Sequence, residues 1–339
     1  MPSRTPLSQV VILGSSFWRV AIGVVTVTVI LIEPGVWLYE WLTNSTPLMC
    51  QMQNVPRGSF RYGSSATWLR IFQQVDRSIK SECPEFQLHF VRPPAGESGS
   101  DMGIKMLLNN QIDFAVSSRR IKKEEYQEAR LKGFEIENIP VALDGIAIAV
   151  HPNLPISGLS ITQLKQILVG KVTNWKQVGG TDLKITLYAR KHSNIFNFIE
   201  EDVLEGQPIR QDIKVVSTIA EGVEKVASDP GGIYLASASY LGYQCTIKTL
   251  PVSNQLNKLL LPYQDLSTFA AQCSDRDRDH GKSYVPTFSA GNYRLTRPLF
   301  IIVKQNGGRQ QQAGEAYADI LLTPPRQELI EKAGFLRIR

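Results

Sequence analysis

The sequence predicts an α/β fold, because three stretches each read as a strand, a small polar loop and a helix. Phe60 and Tyr62 belong to an aromatic strand that runs into Gly63-Ser64-Ser65-Ala66-Thr67-Trp68, after which Leu69, Phe72 and Val75 recur at helical spacing. Ser98-Gly99-Ser100 opens a helix with Ile104, Leu107 and Leu108 on one face, followed by a short strand, Phe114-Ala115-Val116, that empties into Ser117-Ser118-Arg119. Leu187-Tyr188-Ala189 is a strand ending in Arg190, and it passes through Lys191-His192-Ser193 into a helix over residues 194–204. In open α/β sheets the loops at the carboxyl ends of the strands converge. A helix mouth presents free backbone N–H groups, and its dipole favours an anion there. Hydroxyls and a guanidinium delivered to such a mouth make the chemistry of an oxyanion site.

The rest of the chain is taken in order. At 339 residues it is long enough for two packed domains and an appendage, and 43% hydrophobic with 20% charged residues is a globular composition. A net charge of +6 is too modest to argue for nucleic acid, and no zinc-finger or basic-helix pattern is present. Residues 1–56 differ from the remainder. An apolar run over 20–32 comes after Arg4 and Arg19, ends at Glu33-Pro34, and is bracketed by Trp18, Trp37, Tyr39 and Trp41. A spanning helix needs about 20 residues, which 18–38 supplies. A cleaved signal peptide is the competing reading, although no A-x-A site lies downstream. Both readings put the C-terminal part of the chain outside the cytoplasm, and we expect an uncleaved anchor. Residues 43–56 are polar and read as a tether.

The four cysteines, Cys50, Cys83, Cys245 and Cys273, lack zinc spacing. In an oxidising compartment they form one or two disulfides with open pairing, and otherwise they are buried thiols. Residues 122–132 read as a charged helix ended by Gly133. The basic run from Arg119 to Lys123 reads as a solvated face, with the steering of anions as its minor alternative. Gly145-Ile146-Ala147-Ile148-Ala149-Val150 reads as a strand buried on both faces. Ser160 and Gln163 make a capping box, with Ile161, Leu164, Ile167 and Leu168 as the buried stripe and Gly170 as the stop. A helix over 220–227, the turn Asp229-Pro230-Gly231-Gly232 and a strand over 233–236 come next. Asp275-Arg276-Asp277-Arg278-Asp279-His280 reads as an exposed loop, with a metal site as its minor alternative. Residues 299–303 are a buried strand, and Thr323-Pro324 starts a final helix that Gly334 ends.

Several of these segments resemble the phosphate substrate-binding proteins of ABC transporters, from about residue 57 to the end. Gly63-Ser64-Ser65-Ala66-Thr67-Trp68 is similar to the family loop G-A-G-A-T-F. Gly99-Ser100-Asp101-Met102-Gly103-Ile104-Lys105 resembles G-S-G-T-G-I-K, and the stretch from Asp113 to Ile121 resembles D-I-A-A-S-S-R-P-L. The stretch from Leu164 to Trp175, ending Gly170-Lys171-Val172-Thr173-Asn174-Trp175, is the most specific match. Residues 227–234 and 293–299 also fit. The third loop departs: where the family has S-G-T-Y-D-F-F, this chain has Ser193-Asn194-Ile195-Phe196-Asn197-Phe198-Ile199.

The resemblance implies a two-lobed periplasmic-binding-protein-like fold with a central cleft and a mostly parallel sheet in each lobe, which the expected N-terminal membrane segment would precede. Residues 57–145 and 243–339 would form one lobe and 146–242 the other, with hinges at crossings near Gly145 and Tyr243. It implies a monomeric, extracytoplasmic binding protein that captures phosphate or a similar oxyanion for transporter membrane subunits, with no cofactor and no metal. The implied ligands are Thr67, Trp68, Ser100, Ser117, Ser118 and Arg119 from one lobe and Arg190 and Ser193 from the other. Arg119 is alternatively a surface or lobe-bridging arginine. Asp101 is either a solvated helix-end charge or a cleft-facing acid, which would repel a dianion if ionised or share a proton with the ligand. A tethered sensor or scaffold that lost the ligand is the rival function. Catalysis is not expected, since His89, His151, His192 and His280 are scattered and lie in no hydrolase or metalloprotease motif.

Overall fold

In the computed structural model, residue 50 and residues 54–64, 66–92, 99–190, 193–242, 244–253, 258–262 and 293–338 are described. The expected membrane segment, the Asp275–His280 loop and Tyr243 lie outside them. Among the described residues no helix is long and apolar enough to cross a membrane. Cys50, Cys83 and Cys245 are disulfide-bonded and no described cysteine is free, which excludes the buried-thiol alternative.

The part of the chain from Met52 onward holds a mixed sheet. Its strands are β1 (Gly58–Ser64), β2 (Phe86–Phe90), β3 (Phe114–Ser117), β4 (Glu135–Val150), β5 (Thr186–Ala189), β6 (Lys214–Val215), β7 (Gly232–Ser237), β8 (Lys248–Leu250) and, after the small pair β9 (Val252–Ser253) and β10 (Leu259–Leu260), β11 (Thr296–Gln305). The order is β2-β1-β3-β11-β4-β7-β5-β6, with β8 on β4. The outer strands pair in parallel, as β1 does with β2 and β3, and β5 with β6 and β7. The expectation of mostly parallel sheets fails at the centre. There β11 is antiparallel to β3 and β4, and β4 is antiparallel to β7 and β8. The reason is topological, since β4 and β11 are long strands that run the same path in opposite directions.

β4 links two groups of strands. From Glu135 to Gly145 it pairs with β11, ending at the pair Thr296↔Gly145. From Ile146 to Val150 it pairs with β7, and from Ile148 it also has β8 on its other edge. The second stretch is fully buried, as its continuous apolar sequence predicts. Each group packs helices on its own strands. α1 (Leu69–Glu82), α2 (Ser100–Leu108) and α3 (Lys123–Leu131) flank the first, and Ile104, Leu107, Ala115, Ile136, Phe300 and Ile302 share one core there. α4 (Ile161–Leu168), α5 (Asn194–Phe198), which runs on into a π-helical turn, and α6 (Ile219–Ser228) flank the second, where Ile148, Leu164, Trp175, Ile185, Leu187 and Ile233 form another. The Ser160–Gln163 capping box forms as predicted, with Gln163 N donating to Ser160 Oγ at 3.0 Å.

The return path differs from expectation. After β7 the short helix α7 (Ala238–Leu241) leads toward β8, which pairs with Val150, Ala149 and Ile148. The chain beyond Tyr243 therefore stays with the second group. Ile146 N donates to Leu295 O at 2.7 Å and Tyr293 Oη to Ile146 O at 2.9 Å, so the first group is rejoined only as β11 begins. After β11 come α8 (Arg309–Leu321) and α9 (Pro324–Lys332). Phe335 and Leu336 pack back as predicted, and Leu336 bridges Leu143 beside the point where β4 changes partners. Thr323 precedes α9, but its hydroxyl donates backward to Ile320 O at 2.7 Å instead of capping the helix.

Candidate functional site

The mouth of α2 is built by Gly99, whose φ of 105° suits glycine and few other residues. Ser100 is fully buried at that mouth. Its hydroxyl does not cap its own helix; it accepts from Ser118 N at 2.8 Å and lies 3.4 Å from Ser118 Oγ. So the loop after β3 is tied to the start of α2, and two hydroxyls meet at the positive end of a helix. Asn194, the first residue of α5, reaches the same place from the second strand group. Its Nδ2 donates to Ser100 Oγ at 2.7 Å and to Ser118 Oγ at 3.0 Å.

The other expected ligands from the first strand group are held elsewhere. Trp68 is fully buried, with its indole Nε1 donating to Ser117 O at 3.3 Å. Ser117 closes its own turn, its hydroxyl donating to Arg119 O at 2.7 Å and accepting from Arg119 N at 3.2 Å. Thr67 Oγ1 is 3.4 Å from Arg297 Nη2. Arg119 is buried, an exception to the solvated face expected of its basic run, in which Arg120 and Lys123 are exposed. Its guanidinium meets Asp101 Oδ1 at 2.5 Å through Nη2 and 3.0 Å through Nε, and it forks onto Glu125 at 2.6 and 2.9 Å. Such a fork is what arginine would offer an oxyanion, and here two carboxylates take it.

Asp101 stands in the first turn of α2 and is half-exposed, as its helix-end reading expects, but it is ion-paired: Lys122 Nζ joins Arg119 on the same oxygen at 3.1 Å. Partial burial raises its carboxyl, but Arg119 and Lys122 outweigh this and hold it below the ordinary carboxylate value. It is therefore ionised at neutral pH and has no proton to share. Glu125 also accepts from Lys122 N at 2.8 Å at the start of α3, so one carboxylate caps a helix and holds an arginine.

From the second group, Ser193 caps α5, accepting from Phe196 N at 3.2 Å. Arg190 and Ser193 line a small cavity of about 40 Å³ with Tyr188, Phe196 and Tyr234, and none of Ser100, Ser118 and Arg119 borders it. Burial raises the Tyr234 hydroxyl to about 12 even though Arg190 pulls it down. A larger space of about 460 Å³ adjoins Ser118 and Arg119, with Arg120, Lys122, Arg294 and Arg297 facing Asn197, Glu201 and Asp202.

Arg297 and Asp144 were missed by sequence reasoning, although Arg297 stands inside the 293–299 stretch that carries part of the resemblance. They face each other across β4 and β11, one register step from Gly145. Arg297 Nη2 and Nε donate to Asp144 Oδ2 at 2.9 and 3.1 Å, and Ser237 Oγ donates to Asp144 Oδ1 at 2.5 Å. Burial raises the Asp144 carboxyl, against the pull of Arg297 and Ser237. Arg297 Nη1 is buried with no hydrogen-bond partner among the described residues. The usable sequence signal was a lone acid, Asp144, at the head of an apolar strand. Among the described residues no group of His, Cys, Asp and Glu could hold a metal ion.

Two α/β strand groups joined through a shared long strand, with hydroxyls from one and a helix start from the other meeting between them, define a substrate-binding-protein type of fold. The chain belongs to the PBP superfamily domain family, whose model matches residues 53–324. Protein SphX of Synechococcus elongatus is 31% identical over 175 residues, a match that spans 49% of this chain and 52% of that protein, so about half of either. The phosphate-binding protein PstS of Staphylococcus epidermidis is 28% identical over 249 residues, covering 71% of this chain and 69% of that one. A Clostridium perfringens protein solved with bound phosphate, and assigned as a phosphate ABC transporter substrate-binding protein, superposes with a TM-score of 0.61. It is 20% identical, and the match covers 83% of this chain and all of that one, which speaks to fold alone.

Proposed function

We propose that the chain is an extracytoplasmic binding protein, not an enzyme, that captures a tetrahedral oxyanion, phosphate first, and hands it to the membrane subunits of an ABC transporter. The observation that carries this is the meeting of the Ser100 and Ser118 hydroxyls at the Gly99–Ser100 helix mouth. A relative named for phosphate binding, PstS of Staphylococcus epidermidis, supports the choice of anion. The site would take its first ligands from Ser100 and Ser118, with Thr67, Trp68 and Ser117 as supporting neighbours engaged within the first strand group and Arg190 and Ser193 approaching as the cleft closes. Arg119 would act mainly as a braced neighbour. Lobe one would comprise 57–145 with the chain from Thr296 onward, and lobe two would begin at Ile146. This keeps the expected first hinge at Gly145 and moves the second from Tyr243 to the start of β11. Closure about these two strands would be the working motion of a monomer. Residues 1–56 would anchor it to the membrane, on the strength of the apolar run over 20–32 and the arginines before it.

A second reading is a tethered scaffold without ligand, and the Asn194 amide on both hydroxyls favours it. Calorimetry of the full chain with phosphate, sulfate and molybdate separates the two. The binding reading expects saturable heat with phosphate, and a loss on the order of 2–5 kcal/mol on Arg190→Ala. If no oxyanion binds, with Asn194 present or replaced, the scaffold reading takes over.

A further inference from the structure

We propose that Asn194 governs access to the oxyanion seat: its carboxamide is an internal occupant, and an anion binds only by displacing it. The inference rests on the oxyanion reading for the identity of the competitor, but not for the contact itself. The two N–H bonds of one amide are divided between two hydroxyls, Ser100 Oγ at 2.7 Å and Ser118 Oγ at 3.0 Å. Ser100 Oγ already accepts from Ser118 N at 2.8 Å, so its acceptor capacity is filled. A Cβ placed on Gly99 would lie 3.5 Å from Asn194 Nδ2, so the amide packs directly over the helix mouth.

Each hydroxyl that accepts from the amide keeps its own proton to donate, so the amide does not compete with an anion for that proton. The two occupants compete for the space over the helix mouth, where Asn194 Nδ2 already lies 2.7 Å from Ser100 Oγ and 3.0 Å from Ser118 Oγ. The placement is rigid, because Ser193 caps α5 and Ser193 N donates to Arg190 O at 3.3 Å, fixing the backbone on which Asn194 stands. The resembling loop carries glycine at this place, with no side chain to insert.

The amide bridges the strand groups on either side of Gly145, so it also ties the two groups together. Replacing it should help every tetrahedral oxyanion by a similar factor, since what is removed is a competitor and not a selective contact.

The test uses the full chain as parent, Asn194→Ala and Asn194→Asp, each checked for a single cooperative unfolding transition. Titrations with inorganic phosphate and sulfate are paired with amide hydrogen exchange over Gly99–Ser100 and Ser117–Ser118 without anion. Two neutral hydrogen bonds predict phosphate and sulfate binding at least about tenfold tighter in Asn194→Ala. Exchange should be faster in the same variant before anion is added. Asn194→Asp places a carboxylate in the seat and should weaken phosphate by at least about tenfold. If the parent binds phosphate and both variants match it, the internal occupant is wrong while the oxyanion reading stands. If neither the parent nor Asn194→Ala binds any oxyanion, the oxyanion reading fails and the proposal falls with it.

Discussion

Two arginine–carboxylate clusters show how the same pair of groups serves opposite ends. Arg297 is 2% exposed, and its partner Asp144 is completely buried, where β4 changes partners. Arg119 lies beside the hydroxyls, and its partner Asp101 keeps 47% of its side chain in solvent. The first pair cannot turn to water if it is broken, so it fixes the geometry of the junction. The second can relax toward water, and its effect is on what the guanidinium can reach. Burial, not the identity of the pair, decides which role results.

The largest expected effect breaks the buried cluster. Arg297→Ala leaves Asp144 uncompensated in the interior, and removing one partner of a buried pair typically costs about 3–5 kcal/mol. Urea unfolding monitored by tryptophan fluorescence reads this directly. Arg119→Ala should cost clearly less, because Asp101 can turn outward and keeps Lys122, while Glu125 keeps its bond from Lys122 N. Equal losses would erase the distinction between the clusters.

A third carboxylate sharpens the comparison, since among the described residues no cation pairs with it. Asp76 on α1 is hydrogen-bonded by the hydroxyls of Tyr62 and Tyr317. Burial raises it from 3.8 to about 6, against the smaller pull of those hydroxyls. The native state therefore holds its proton more tightly than the unfolded chain does. Its contribution to stability is full below the unfolded value and is lost as pH rises through the folded one. The change amounts to roughly 3 kcal/mol at most between about pH 3.5 and 7. Asp76→Asn should flatten that part of the stability–pH curve, read from urea midpoints at several pH values, and an unchanged slope would mean that Asp76 titrates normally.

The two clusters also mark where the sequence is legible. The loops at Gly63, Gly99 and Arg190 were readable because small polar residues sit between a strand period and a helix period, a local signal. The stretch Glu135-Ile136-Glu137-Asn138-Ile139-Pro140 hid the first half of β4, since its exposed edge is charged and a proline interrupts it. Asp144 and Arg297 lie 153 positions apart, and nothing local announces their pairing. The sequence shows Arg119 among basic neighbours and as a ligand candidate, but not its pairing, because its partner Asp101 arrives from another element, 18 positions back. Asn194 was visible only as a departure from a resembling loop. That it would bridge Ser100 and Ser118 depended on how α5 is set against α2, a tertiary fact.

The smallest effect lies at the exposed cluster and speaks most directly to ligand binding. Asp101 is held ionised by Arg119 and Lys122, so its contribution to stability is present above its unfolded pKa and lost as pH falls through the depressed folded value. Its exposure limits that contribution to the range of surface pairs, roughly 0.2–1 kcal/mol, so Asp101→Asn should barely move the unfolding midpoint at neutral pH. Its effect on anions should be easier to see. The substitution removes one negative charge from the mouth of α2 and releases Arg119 Nε, while Glu125 keeps its fork on the guanidinium. Phosphate and sulfate should both bind a few-fold tighter, with the gain reduced by added salt. For sulfate, a dianion throughout, the factor should hold from about pH 6 to 8, because the native carboxyl is already ionised across that range, whereas for phosphate it should grow with pH as the ligand gains its second charge. A gain for sulfate alone would restore Asp101 as a proton-sharing acid facing the ligand. No gain for either anion would place Arg119 outside the electrostatic reach of the seat.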